Sequence, residues 1–141
     1  MKLKFSILLL LLLPATLYAQ DTTVVKKQAA VVAKAVLDGN YGTVIDYMYP
    51  KVVQMSGGKA KLLQMMTKGM SQMKAQGVSF SDASVGSPGK FYKAGTEIHC
   101  LVPEYITMKA GASTIRTKSN LLAITKITAK PGPFLTSTRT L

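Results

Sequence analysis

Few side chains in this sequence could do chemistry, and the pair to start from is Glu97 and His99. His99 is the only histidine. In an extended segment residues two apart share a face, so Glu97, His99 and Leu101 lie on one side and Ile98, Cys100 and Val102 on the other. A carboxylate beside an imidazole can orient a ligand or act as an acid–base pair where that face lines a pocket. Where the face meets solvent, the two are ordinary sheet-surface residues. The single cysteine, Cys100, excludes an internal disulfide. Its place between Ile98 and Val102 reads as a buried inert thiol, with a reactive or intermolecularly bridged thiol as the alternative. One histidine, a cysteine on the opposite face and few carboxylates cannot supply three or four metal ligands, so neither metal nor other cofactor is expected. Gly57-Gly58-Lys59 is too short for a phosphate loop and lacks the strand before it, and no nucleophile motif or dinucleotide fingerprint is present.

The elements that must position these residues are legible from periodicity. Asp21-Thr22-Thr23 offers N-cap oxygens to a helix whose apolar residues recur at Val25, Ala29, Val32 and Val36. Gly39-Asn40 closes it, since both tolerate the left-handed conformation past a helix end. A shorter helical segment covers Tyr41 to Met48 and breaks at Tyr49, because Pro50 disfavours helical geometry before it. Lys51 to Met55 makes one more turn before Ser56-Gly57-Gly58. A further helix from Lys59 to Gly77 carries Leu62, Met66, Met70 and Met73 on one face. A methionine-rich face can form a promiscuous groove or bind copper or haem through sulfur. Here the spacing is that of a buried stripe, each side chain of which contributes roughly 1.5–3 kcal/mol. The period then falls to two. A first strand spans Val78 to Val85, Gly86-Ser87-Pro88-Gly89 forms a turn, and a second strand runs from Lys90 to Val102 with a kink at Ala94-Gly95. Pro103 is expected to interrupt the ladder. A third strand, Tyr105 to Met108, joins a fourth, Ser113 to Thr125, through a glycine-containing hairpin loop. Leu121 to Ile124 is apolar on both parities, as a central strand covered on two faces requires.

Lys2 and Lys4 followed by the apolar run Phe5 to Leu13, then Pro14 and Leu17-Tyr18-Ala19, read as a secretory signal cleaved near Ala19/Gln20. The run is too short to cross a bilayer as a helix. The expected division is therefore a signal over 1–19, one α+β domain over 20–126, and a tail over 127–141, with a periplasmic or secreted product that has no transmembrane span. Losing Lys2 and Lys4 lowers the net charge from +12 to +10. Such a balance favours anionic contacts. The lysines, however, fall between apolar helix positions, in turns and on strand faces, without a run of five like charges or an aromatic–basic motif, so nucleic acid is not an expected partner.

The string DGNYGTVIDYMYPKVVQMSGGKAKLLQMM, followed by KFYKAGTEIHCLVPEYITM and a strand holding SNLLAITK, resembles exported members of the nuclear transport factor two-like superfamily, the SnoaL-like and cystatin-like cones. The residues carrying the likeness are Asp38-Gly39-Asn40-Tyr41, Tyr49-Pro50 with the valines after it, Gly57-Gly58-Lys59 and Ala94-Gly95-Thr96, and it spans about Val24 to Lys126. The resemblance implies an α+β cone, in which N-terminal helices pack on a curved antiparallel sheet that can enclose a cavity. That superfamily contains enzymes, ligand binders and structural modules, so the fold does not choose among them. Its enzymes tend to place Asp and His deep in the cavity, which sets Asp46 and its neighbour Tyr47 beside His99 and Glu97 as candidate ligand-binding residues. None of the four matches a catalytic motif.

The chain departs from that pattern after Lys126. Relatives of this kind continue with a turn and last strand of the sort Asp-Asn-Gly-Lys-Thr-Trp-Thr-Phe-Leu. A coding string GAT AAC GGC AAA ACC TGG ACC TTT CTT GA for that strand, read one base later, encodes Ile127 to Leu135 of this chain. A one-base deletion or sequencing error after Lys126 is the resulting hypothesis, and a naturally divergent tail is the alternative. Pro131 and Pro133 cannot donate to a ladder, so the last strand is expected to be missing and the strand holding Leu121 to Ile124 to have an exposed edge. The functional expectation is an exported, non-catalytic domain that binds a small apolar ligand or a protein partner, a second copy in a homodimer among them. A small cavity enzyme of the lyase or isomerase type using His99 and Glu97 is one alternative, and a basic surface-adhering protein is another. Resequencing the gene should reveal a one-base difference from close relatives just after the codon for Lys126; an intact frame overturns the frameshift reading.

Overall fold

The computed structural model describes residues 22–126 and a short strand over 136–139. The expected signal segment and the rest of the 127–141 tail lie outside the described residues. Among the described residues four helices come first: α1 (Thr22–Leu37), α2 (Tyr41–Asp46), α3 (Pro50–Met55) and α4 (Lys59–Ala75). Five strands follow: β1 (Val78–Val85), β2 (Phe91–Ala94), β3 (Glu97–Ala110), β4 (Ser113–Lys126) and β5 (Thr136–Arg139). They form one antiparallel sheet in the order β1-β3-β4-β5, with β2 also paired to β3. The expected α+β class is therefore present, helices first and sheet second. No helix among the described residues is long and apolar enough to cross a membrane.

Helix boundaries follow the local chemistry. Gly39 adopts φ 69° past the end of α1, and the Asn40 amide reaches back to the Ala35 carbonyl at 2.8 Å, which satisfies an orphan acceptor of the last turn. The same Asn40 then caps α2, its Oδ1 accepting from the Thr43 amide at 3.2 Å. Pro50 opens α3 at a position where its missing N–H costs nothing. The α3–α4 turn needs both glycines in the left-handed region, and a Cβ on Gly57 would come within 2.6 Å of the Lys61 side chain.

The core sits between α1 and the sheet. Val25 and Ala29 of α1 meet Cys100 and Val102 of β3 and Leu121 and Ala123 of β4, with Val85 and Phe91 packed against them. A second cluster joins Val32 and Ala35 to Val44 of α2, with Tyr47, Met48 and Met66 at its margin. Cys100 is buried as the reading of an inert thiol requires, and desolvation pushes its thiol pKa up.

Four expectations about the sheet need correction. The cluster Gly86 to Gly89 does not reverse the chain. β1 and β2 run in the same direction along one edge of β3, and the Gly86 and Gly89 amides continue the ladder to the carbonyls of Pro103 and Leu101, both at 2.8 Å. The reversal falls at Gly95 (φ 61°) and Thr96, so the expected second strand is two strands folded back on each other. Pro103 does not interrupt β3, which passes through it in register with Asn120. In a strand a residue's N–H and C=O point to the same side, so the missing donor of Pro103 falls where β1 has already ended and only the Gly86 amide approaches. Lastly, Leu121 to Ile124 is not left without a neighbour, because β5 pairs with it from Arg139 to Thr136. An open strand edge offers a backbone ladder that does not depend on side-chain identity.

The methionine stripe of α4 is on the expected face but less buried than its spacing suggests. Leu62, Met66, Met70 and Met73 are half-buried, while Met65 is 56% exposed. α4 packs against the short helices α2 and α3 and the start of β1 rather than over the sheet, so it has no broad apolar surface to cover it. Replacing Val102, fully buried, by Ala should cost about 2–3 kcal/mol in a urea denaturation, through lost transfer energy and the cavity left behind. Met65→Ala should cost less than about 1 kcal/mol. Equal losses would contradict this placement of the core.

Candidate binding cleft

The uninterrupted register of β3 with β4 sets Glu97 opposite Lys126 and His99 opposite Ile124 at the end of the sheet remote from the hairpin turn. Directly paired residues share a face. Against this end comes the start of α3, and the Tyr49 hydroxyl donates to Glu97 Oε1 at 3.2 Å. The second carboxylate oxygen, Oε2, lies 3.1 Å from His99 Nε2. Tyr49, Pro50, Lys51, Gln54, Glu97, Ile124 and Lys126 line a cleft of about 720 Å³ beside this chain of hydrogen bonds. That is the size of a pocket for a small organic molecule.

The electrostatics of the chain follow from who donates. The bond from His99 does most to hold the Glu97 carboxyl below its ordinary range, against the opposing effect of burial, and the Tyr49 hydroxyl and the nearby Lys126 charge act in the same direction. The same contact, read from the other side, raises the Tyr49 pKa, so that the phenol remains a donor. An ionised carboxylate can only accept, so His99 Nε2 carries the proton in this bond and Nδ1 is the free acceptor when the ring is neutral. His99 and Glu97 remain 29% and 20% exposed, so water screens the pair.

The four sequence-derived candidates do not converge on one site. Glu97 and His99 are bonded to each other, and Glu97 lines the cleft. Asp46 is exposed and ion-paired with Lys59, bridging α2 to α4 at the surface. Tyr47 instead borders a narrow interior cavity of about 10 Å³ with Val25, Gln28, Val102 and Leu121. Among the described residues no cluster of His, Cys, Asp and Glu could hold a metal ion.

Two residues escaped the sequence reading. Tyr49 stands out in the sequence as the residue before a proline and as part of the family likeness, and neither points to a carboxylate 48 positions away. Glu104 is 3% exposed on the α1-facing side of β3, where Ser119, its cross-strand partner, donates to its Oε2 at 2.9 Å. Its parity with Cys100 and Val102 was the available signal, masked by the assumption that Pro103 ends the strand. No protein family matches this chain, no curated protein is detectably similar to it, and no solved structure matches its fold.

The sign of the pH dependence follows from the lowered Glu97 pKa. Its bonds contribute stability above the ordinary carboxylate value of about 4.3, and that stability is lost as pH falls through the lower folded value. Glu97→Gln should therefore lower the melting temperature near about pH 7, with the gap to wild type closing towards about pH 3. A gap of constant size across that range would show that the carboxylate is not held as an anion.

Proposed function

We propose that this chain is an exported, non-catalytic binding domain whose cleft between α3 and the ends of β3 and β4 takes a small apolar or amphipathic ligand. The observation that carries the reading is the cleft itself, with Tyr49, Pro50 and Ile124 as apolar wall and the Tyr49–Glu97–His99 chain as its fixed polar feature. A few convergent polar groups in an otherwise apolar concavity orient a ligand. The nuclear transport factor two-like cone, with its helices packed on a curved sheet, is the fold proposed for this arrangement, and the helices-then-antiparallel-sheet order supports it.

A second reading, acid–base chemistry of the lyase or isomerase type, draws on the 3.1 Å contact between His99 and Glu97. The cleft-lining member of that pair is Glu97, and its lowered pKa makes it a weak base near neutrality, where an effective one has a pKa close to the working pH. His99 does not appear among the cleft-lining residues. The balance therefore falls on binding.

Native mass spectrometry of the protein recovered from the periplasm tests this. A bound small molecule that is lost from an Ile124→Asp variant, with the variant's melting curve still cooperative, is the expected result. Wild-type protein that is empty and takes up no apolar fluorescent probe would end the binding reading.

A further inference from the structure

The cleft has an uneven charge balance that points to its ligand. Among the described residues that line it, Lys51 and Lys126 are the cations and Glu97 is the only acid. Both oxygens of Glu97 are already engaged, one by Tyr49 and the other by His99. Lys126 faces Glu97 across the ladder yet makes no ion pair with it, and among the described residues neither Lys51 nor Lys126 has a carboxylate partner. Elsewhere the short supply of acids is used: Lys34 pairs with Asp38, and Lys59 with Asp46. Both lysines are exposed, and their ammonium groups can donate charge-assisted hydrogen bonds to an anion that enters the cleft.

We propose that the cleft selects an amphiphile with a single negative charge, its carboxylate held by Lys126 and Lys51 and its apolar body against Ile124, Pro50 and the Tyr49 ring. Among the described lining residues, two lysines against one glutamate leave one positive charge in excess. A monoanion neutralises it, whereas a dianion overshoots. Gln54, also in the wall, supplies a neutral amide that can donate to the same oxygens. This inference rests on the cleft being a binding site, and adds the charge of what binds.

The test compares ligands that differ only in the head group: dodecanoate, dodecanol and dodecyl phosphate, each below its micellar concentration, titrated into the purified protein by displacement of an apolar fluorescent probe. Dodecanoate should bind roughly tenfold tighter than dodecanol, which corresponds to about 1.4 kcal/mol. Lys126→Gln should remove most of that difference, with the variant's melting curve still cooperative. Equal affinity for the acid and the alcohol overturns the charge assignment and leaves the binding cleft standing. Tighter binding of dodecyl phosphate overturns the single-charge argument. Failure of all three to displace the probe removes the cleft reading along with it.

Discussion

The backbone ladder between β3 and β4 runs unbroken from the turn at Gly111 to Glu97 and Lys126, and the rest of the molecule is arranged on it. Because side chains alternate across a strand, this one register decides at every step what faces α1 and what does not. It sets Cys100 beside Ala123 and Val102 beside Leu121, the four residues on which α1 lays Val25 and Ala29. A slip of one position would turn these outward and bring Leu101 and His99 under the helix. The edge formed by β1, the Gly86–Gly89 segment and β2 depends on the same strand, since all three pair with β3 in turn.

The cleft is a consequence of that register together with a helix start. Glu97 and Lys126 are brought opposite each other by the ladder, but the carboxylate faces a polar end of the sheet only because Tyr49 arrives there at the first turn of α3. Pro50 contributes by holding Tyr49 in an extended conformation, φ −58° and ψ 124°, so that it precedes the helix instead of joining it. The Gly57-Gly58 turn then sends α4 back against α2, where Lys59 closes on Asp46. The helical side of the molecule is thus held by small local devices, while the sheet side is held by one long pairing.

Physical asymmetry between those two sides explains what could be read beforehand. The helices α1 and α4, the proline break and the hairpin at Gly111 are local features whose signals lie within a few residues of each other. The strand boundaries at Gly86–Gly89, Gly95 and Pro103 were harder, because glycine and proline can mark a turn, a bulge or a tolerated edge position, and only the neighbouring strand decides which. Pro103 stays in β3 because β1 has ended beside it, a fact about another part of the chain. The spacing of the α4 stripe defines a face but not a depth, since burial depends on what lies across from it.

By itself the sequence determined the helix-then-sheet order, the parity that separates Glu97 and His99 from Cys100 and Val102, and the lack of a motif for phosphate, nucleotide or nucleophilic chemistry. Those follow from the geometry of a helix turn and a pleat, which act over a few residues. Tertiary structure alone decided that Asp46 belongs to the surface and Tyr47 to the margin of the second core cluster. It likewise decided that Glu97 is shared between His99 and Tyr49, and that Lys126 stands opposite a carboxylate it does not bind. Apart from Glu97 and His99, which are neighbours on one face of β3, these are meetings of residues distant along the chain, and such meetings are fixed by the packing of whole elements rather than by the identities of the residues that meet.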